Sequence, residues 1–172
     1  MLEMLAQAGV DVVFGLPGIH NLAFWSREAP ARIIGVRHEQ AAVYAADGYA
    51  RATGRLGVAF STTGPGAANG LAAFGEAYVS STPLLFVASE VNTSLRSSEG
   101  PRGILHEMAD QAAPFAAFGA RAVSVTSPEE ALAEVAGSIA RASTSPCLPM
   151  YLGVPSDILN TPFPDEIRFK VG

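Results

Sequence analysis

The sequence predicts an α/β fold, a three-layer sandwich in which helices cover both faces of a six-stranded, mostly parallel sheet. Two observations carry this. Short apolar runs rich in β-branched and aromatic residues alternate with longer segments of helical period, which is the pattern of repeated βα units. Two of those runs, VAF at 58–60 and LLFVA at 84–88, are continuously apolar, as central strands are when helices cover both of their faces.

The elements follow in order. MLEMLAQAG reads as the later part of an amphipathic helix that meets Gly9 with little run-up, so the chain is expected to begin inside its first helix. Strands are expected at 11–14, 32–36, 57–62, 84–88, 120–125 and 150–154. After the second strand the chain turns helical at about Glu39, and residues 66–80 read as one further helix with Pro83 closing the turn into the next strand. Ser127 suits the N-cap of a last long helix running to about Arg141, with Pro128 at its first position and Glu129 and Glu130 in its first turn. Two stretches break the rhythm. Residues 89–103 form a loop too long for a simple connector, of the kind that is functional or mobile. From Asn160 the chain is polar and proline-spaced, so the domain is expected to span 1–159, with 160–172 a linker or tail toward a missing domain.

Of the 172 residues, 49% are hydrophobic and 16% charged, which fits a single domain with a substantial core. A chain of this size buries about 70% of its unfolded surface and needs no disulfide or structural metal. The single Cys147, in the apolar run CLPMYLGV, reads as an inert buried thiol. A net charge of −5 without a block of Lys or Arg argues against nucleic acid as a partner. No apolar stretch approaches the roughly 20 residues that span a bilayer, and the start lacks a signal peptide's basic region, so the protein is expected in the cytoplasm and off the membrane. No His or Cys pair has metal-ligand spacing, and no GxSxG turn points to a hydrolase.

Chemistry concentrates in three strand-to-helix loops. In RHEQAAVYAADGYARATG, residues 37–54, Glu39 lies at the carboxyl end of the second strand, where open α/β sheets place their ligands. Taken alone, it reads sooner as a helix-start acid answering the dipole, and only its context reverses that. The helix that follows carries Ala42, Ala46 and Ala50 at four-residue spacing beside Gly48, a stripe with so little bulk that another backbone can approach it. STTGPGAANG, residues 61–70, is a glycine-rich turn whose backbone NH groups can reach a ligand. Gly64, Gly66 and Gly70, with Glu90 about 20 residues on, also imitate a dinucleotide-binding turn; Pro65 and the placement after the third strand count against that. In GLPGIHN, residues 15–21, Pro17 fixes one backbone angle and Gly18 frees the next, a rigid shape for a flat ligand.

Together, VVFGLPG, RHEQAAVYAADGYARATG and TTGPGAANG at these intervals resemble the pyrimidine-binding, N-terminal domain of the acetolactate synthase and benzoylformate decarboxylase group of thiamine-diphosphate enzymes. The resemblance runs from about Leu2 to Asp157. It implies that Glu39 is the carboxyl group that hydrogen-bonds the cofactor's pyrimidine nitrogen and relays its activating proton, a task eased by an apolar wall, for which Ala41, Ala42, Val43 and Tyr44 offer themselves. It implies that Pro17, Gly18, Thr62, Pro65 and Asn69 contact the cofactor, and that Ile19 and His106 lie on the substrate side. Ile19 cannot transfer a proton, which counts against a benzoylformate-type mechanism. LHEMADQ, residues 105–111, resembles the FQE segment of the synthases with His106 in place of glutamine, and both a role in substrate protonation and a merely structural histidine stay open. His20 has the same two readings, and His38 either orients Glu39 or makes a structural hydrogen bond.

The group's Gly-Asp-Gly and downstream Asn, which hold Mg with the diphosphate, have no counterpart, since Ala46-Asp47-Gly48 lies within the helix. The resemblance therefore implies a carbon-carbon lyase or ligase, acetolactate synthase-like or 2-oxo acid decarboxylase-like, that is incomplete and inactive until a diphosphate-binding domain or subunit brings Mg. A homodimer or higher oligomer through the helix at 39–53 is expected, and FAD in a central domain is compatible with the group. The alternatives are an NAD-binding oxidoreductase domain and a non-catalytic interaction module of the same fold.

Overall fold

All six strands form within two residues of their expected ends, because each is a run of residues that a sheet covered on both faces can bury. The computed structural model describes residues 1–25, 30–96, 102–142 and 144–161. The strands are β1 (Val12–Gly15), β2 (Arg32–Gly35), β3 (Gly57–Ser61), β4 (Leu84–Glu90), β5 (Arg121–Ser124) and β6 (Met150–Pro155). They form one sheet in the order β2-β1-β3-β4-β6-β5, with every pairing parallel. The two continuously apolar runs occupy the two central positions, β3 and β4, and every residue of both is buried; β2 and β5, at the edges, are partly exposed.

Alternate strand residues supply two separate cores. Val13, Val58, Phe60, Leu85, Val87 and Leu152 pack with Leu5 of α1 (Leu2–Gln7), Leu132 and Val135 of α6 (Pro128–Ala142) and Ile158 of α7 (Ser156–Leu159). On the other face Ala59, Phe86 and Tyr151 pack with Ala42, Val43 and Ala46 of α2 (Glu39–Thr53), Phe74 of α4 (Leu71–Val79) and Phe115 of α5 (Ala113–Ala116). Helices on both faces of one parallel sheet make the predicted three-layer sandwich. The N-terminus of α6 is built as its sequence suggests: Ser127 Oγ accepts from Glu130 N at 3.1 Å, and the Glu130 carboxylate accepts from Thr126 N at 2.7 Å.

Two expectations, on the helix at 66–80 and on Cys147, are corrected, and one, on the alanine stripe, is made specific. Residues 66–80 form two helices, α3 (Pro65–Asn69) and α4, which meet at Gly70. A side chain at Gly70 would lie 2.6 Å from the Phe86 ring, so the joint can pack against β4 only because it has none. The stripe of Ala42, Ala46 and Ala50 is buried, and the backbone that approaches it, as its small residues allow, is that of β3, at Gly57. Cys147 is half-buried, its thiol donating to the Ala142 carbonyl at 3.3 Å. Of the loop expected at 89–103, β4 takes the first two residues, Thr93–Leu95 form a 3₁₀ turn tied to Asp157 through Thr93 N at 3.0 Å, and 97–101 lie outside the described residues, as does the tail from 162. No described helix is long and apolar enough to cross a membrane.

Candidate functional site

The strand order turns about β1: the chain leaves β1 toward β2 on one side, then returns to place β3 on the other. The loops after β1 and β3 therefore diverge at their carboxyl ends and open a crevice, the usual ligand position in an open parallel sheet. GLPGIHN and STTGPGAANG border that crevice, and Glu39 begins the helix that follows β2 beside them.

Glu39 is 7% exposed although it is an acid at the first position of α2. Its Oε2 accepts from Asn69 Nδ2 at 2.9 Å, and its Oε1 points toward Gly66, 3.4 Å from where a Cβ on that residue would sit. His38 is the helix cap: its Nδ1 accepts from Gln40 N at 3.2 Å, which is the structural reading of that histidine. The apolar wall is narrower than its four candidates, since Ala42 and Val43 are buried whereas Ala41 and Tyr44 face outward, a consequence of the helical turn between them.

Gly18, Thr62 and Gly66 meet in front of Glu39. A Cβ on Gly18 would fall 2.5 Å from Thr62 Cβ, and one on Gly66 would fall 2.7 Å from Thr62 Cγ2, so two bare backbones pinch one threonine. Thr62 Oγ1 is buried there with no hydrogen-bond partner among the described residues. A buried hydroxyl without a partner costs roughly 1–3 kcal/mol. The β1 loop owes its shape to Asn21, a fully buried residue that sequence reasoning passed over. Asn21 Oδ1 accepts from Gly18 N at 2.7 Å and its Nδ2 donates to Leu16 O at 3.0 Å. An Asn three residues after a Pro-Gly pair is the signal that could have found it. Pro17 and Pro65 lie exposed on the two loops, and Ile19 is 67% exposed, so none of the three belongs to either core.

His106 comes to the same place from the other side. Its backbone carbonyl fills the space beside Gly64, its φ is +63°, and its ring meets that of His20 edge-on with centroids 6.0 Å apart. The Nδ1 atoms of both rings are buried without partners among the described residues. Burial lowers the pKa of His20 below its ordinary 6.5, and the charge of His106 lowers it further. The unfolded chain thus takes up that proton first, so the contribution of His20 to stability is full above about pH 6.5 and falls as pH drops through the folded value. Urea midpoints should fall between about pH 7.5 and about pH 5, and His20→Asn should flatten that fall; an unchanged slope would remove His20 as its cause.

The dinucleotide reading fails at its acid. Glu90, at the end of β4, is 6% exposed and already engaged by the Arg96 guanidinium and the Ser124 hydroxyl, which leaves its carboxylate no free oxygen for a ribose. Asp47, the one acid in a Gly-Asp-Gly-like setting, is paired with Arg51 at 2.8 Å. Among the described residues no group of three His, Cys, Asp or Glu side chains is placed to hold a metal.

An α/β domain with a buried acid at its second strand's end, beside the glycine loops that follow β1 and β3, defines a class: an open parallel sheet of the kind that binds ligands at the carboxyl ends of its strands. Comparison with known proteins names the family. Residues 1–114 match the family described as "Thiamine pyrophosphate enzyme, N-terminal TPP binding domain", and the chain belongs to it. It is 42% identical over 168 residues to the "Probable 2-ketoarginine decarboxylase" of Pseudomonas aeruginosa, covering 94% of this chain and 29% of that protein. It is 31% identical over 160 residues to the "Probable acetolactate synthase large subunit" of Methanocaldococcus jannaschii, covering 92% of this chain and 26% of that protein. The chain thus spans less than a third of the length of these curated relatives. A solved structure of a thiamin diphosphate-dependent enzyme isolated from Mycobacterium smegmatis superposes with a TM-score of 0.80 at 23% identity, over 91% of this chain and 30% of that one, which shows the fold.

Proposed function

We propose that this chain holds the aminopyrimidine half of thiamine diphosphate in the crevice between the β1 and β3 loops and that Glu39 is its activating acid. The single observation that carries the reading is a buried carboxyl with one oxygen held by Asn69 and the other turned toward the Gly18–Thr62–Gly66 cradle. The residues suit the group. Gly18 and Gly66, lacking side chains, seat Thr62 close in front of Glu39; Thr62 Oγ1 is a buried hydroxyl still to be satisfied; and Glu39 Oε1 can hold a proton against a ring nitrogen. Pro17, Pro65 and Asn69 lie on the same loops as further contacts. Bound thiamine diphosphate supplies the electron sink that a 2-oxo acid lacks when it loses CO₂. Glu39 then passes a proton without touching substrate, while Ile19 and His106 stand where the substrate would enter.

Decarboxylation of a 2-oxo acid as the net reaction is favoured because the relative named for it matches at 42% over 94% of the chain, whereas relatives named for acetolactate synthesis match at 31% over 92% or at 41% over 55%. The diphosphate and its Mg are held by a further domain or subunit, and any subunit contact through α2 uses its exposed face, with Tyr44 and Gly48, since the alanine stripe is already buried. Titration with thiamine diphosphate and Mg²⁺ tests this. Saturable binding and 2-oxo acid turnover are expected only when the chain is joined to its diphosphate-binding half, with no binding of NADH in either state. Turnover by the chain alone, or saturable NADH binding, would overturn it.

A further inference from the structure

The loop that carries Thr62, Pro65 and Asn69 is anchored from behind by a residue outside the crevice. Gln111 is 4% exposed and makes three hydrogen bonds: its Oε1 accepts from Gly64 N at 2.6 Å, and its Nε2 donates to Ser89 O at 2.9 Å and to Tyr151 Oη at 2.7 Å. Ser89 is tied to the same loop once more, through a 3.0 Å bond between its hydroxyl and that of Thr63. Both Ser89 and Tyr151 belong to interior strands, β4 and β6, so the anchor is as rigid as the sheet.

Gly64 is the residue at which that anchor matters. Its φ of +61° and ψ of −111° admit only glycine, and its N–H is not taken by any helix, because it stands just before α3. A single turn, Pro65–Asn69, separates it from the side chain that grips Glu39. The far end of the turn is seated as well, Gly70 lying against Phe86 and Val43. With both ends held, the backbone that carries Asn69 is fixed relative to Glu39, whose Oε2 accepts from Asn69 Nδ2.

We infer that Gln111 is a positioning residue for the cofactor-activating acid, acting through Gly64, α3 and Asn69 on Glu39. The inference rests on the function proposed above and deepens it. Gln111 touches no reacting atom; it sets the loop from which Asn69 fixes the acid's orientation. A displacement of an activating group by about 1 Å costs up to about 10²-fold in rate, so a loop released at Gly64 should be felt at Glu39.

The test uses Gln111→Met, which keeps the volume and removes all three bonds, and Gln111→Glu, which keeps an acceptor for Gly64 N. In the chain itself, hydrogen exchange of the Gly64 amide should quicken by at least about tenfold in the first variant and stay near the parent rate in the second. In the enzyme joined to its diphosphate half, the rate of exchange of the hydrogen at C2 of bound thiamine diphosphate, per loaded site, should fall by about tenfold with Gln111→Met, with kcat falling more than KM rises, and return to within about threefold with Gln111→Glu. Should Gln111→Met fail to fold, Tyr151→Phe loosens the same side chain by removing one partner and should shift both rates in the same direction. If Gln111→Met, or Tyr151→Phe in its place, lowers the melting temperature yet leaves C2 exchange per loaded site unchanged, Gln111 is only part of the core and the inference fails. Glu39→Gln separates the two failures: a slow C2 exchange there with none in the Gln111 variants sinks the positioning role alone, and no change there sinks the proposed function.

Discussion

Replacing Glu39 by Gln is expected to lower turnover of the assembled enzyme by about 10² to 10⁴-fold, the usual reach of a positioned acid or base. The substitution keeps shape and volume, and the amide oxygen still accepts the bond from Asn69 Nδ2 that the carboxylate accepts at 2.9 Å. What it loses is the ability to hold a proton at the oxygen facing Gly66. Folding should be untouched, because Glu39 is at the first position of α2, where His38 already caps the helix. The measurement is therefore a rate of 2-oxo acid consumption beside a melting curve. Loss of rate at constant melting temperature supports the assignment; full activity would mean that the acid is a solvated helix-start residue in all but burial, and that the fold serves as an interaction module.

The largest effect on stability is expected from Gly57→Ala. Gly57 opens β3 directly beneath α2, and a Cβ there would lie 2.1 Å from the Ala46 carbonyl oxygen and 3.2 Å from Ala50 Cβ. The first of these atoms is backbone in the middle of a helix and cannot step aside. Overpacking of this kind costs about 3 kcal/mol or more. In a chain of this length that is a fall of about 6 to 12 °C in melting temperature. Gly48→Ala is the matched control. Gly48 lies in the same helix with nothing within 4 Å of its absent Cβ, so alanine there should raise stability by about 0.5 to 1 kcal/mol. Equal effects at the two positions would contradict the close seating of α2 on β3.

The comparison of these two glycines shows how far a sequence pattern carries. The stripe of Ala42, Ala46 and Ala50 does announce a close-packed helix face, yet periodicity names only the face and not what covers it; β3 of the same chain does so, and Gly48 falls just off the contact. Likewise Gly66 to Ser80 has a helical period throughout, and the break at Gly70 comes from the Phe86 ring, a residue of another strand. Tyr44 and Ala41 sit beside Glu39 in sequence and turn away from it in space. Gln111 and Asn21 were missed for a related reason: an amide side chain becomes part of a loop's architecture only when folding brings an orphan backbone N–H to it.

What the amino-acid sequence determined by itself is the sheet and the family. Burial on both faces demands uninterrupted apolar runs, and the three loops VVFGLPG, RHEQAAVYAADGYARATG and TTGPGAANG carry backbone constraints that proline and glycine impose locally. Which side chains then face one another was decided by tertiary structure alone. The bond from Asn69 to Glu39 joins residues 30 apart, the brace from Gln111 to Gly64 joins residues 47 apart, and the pinch of Gly18 and Gly66 on Thr62 needs β1 and β3 to be neighbours. Such contacts depend on strand order and register, which no local propensity encodes, because they arise only when the whole sheet closes over its two cores.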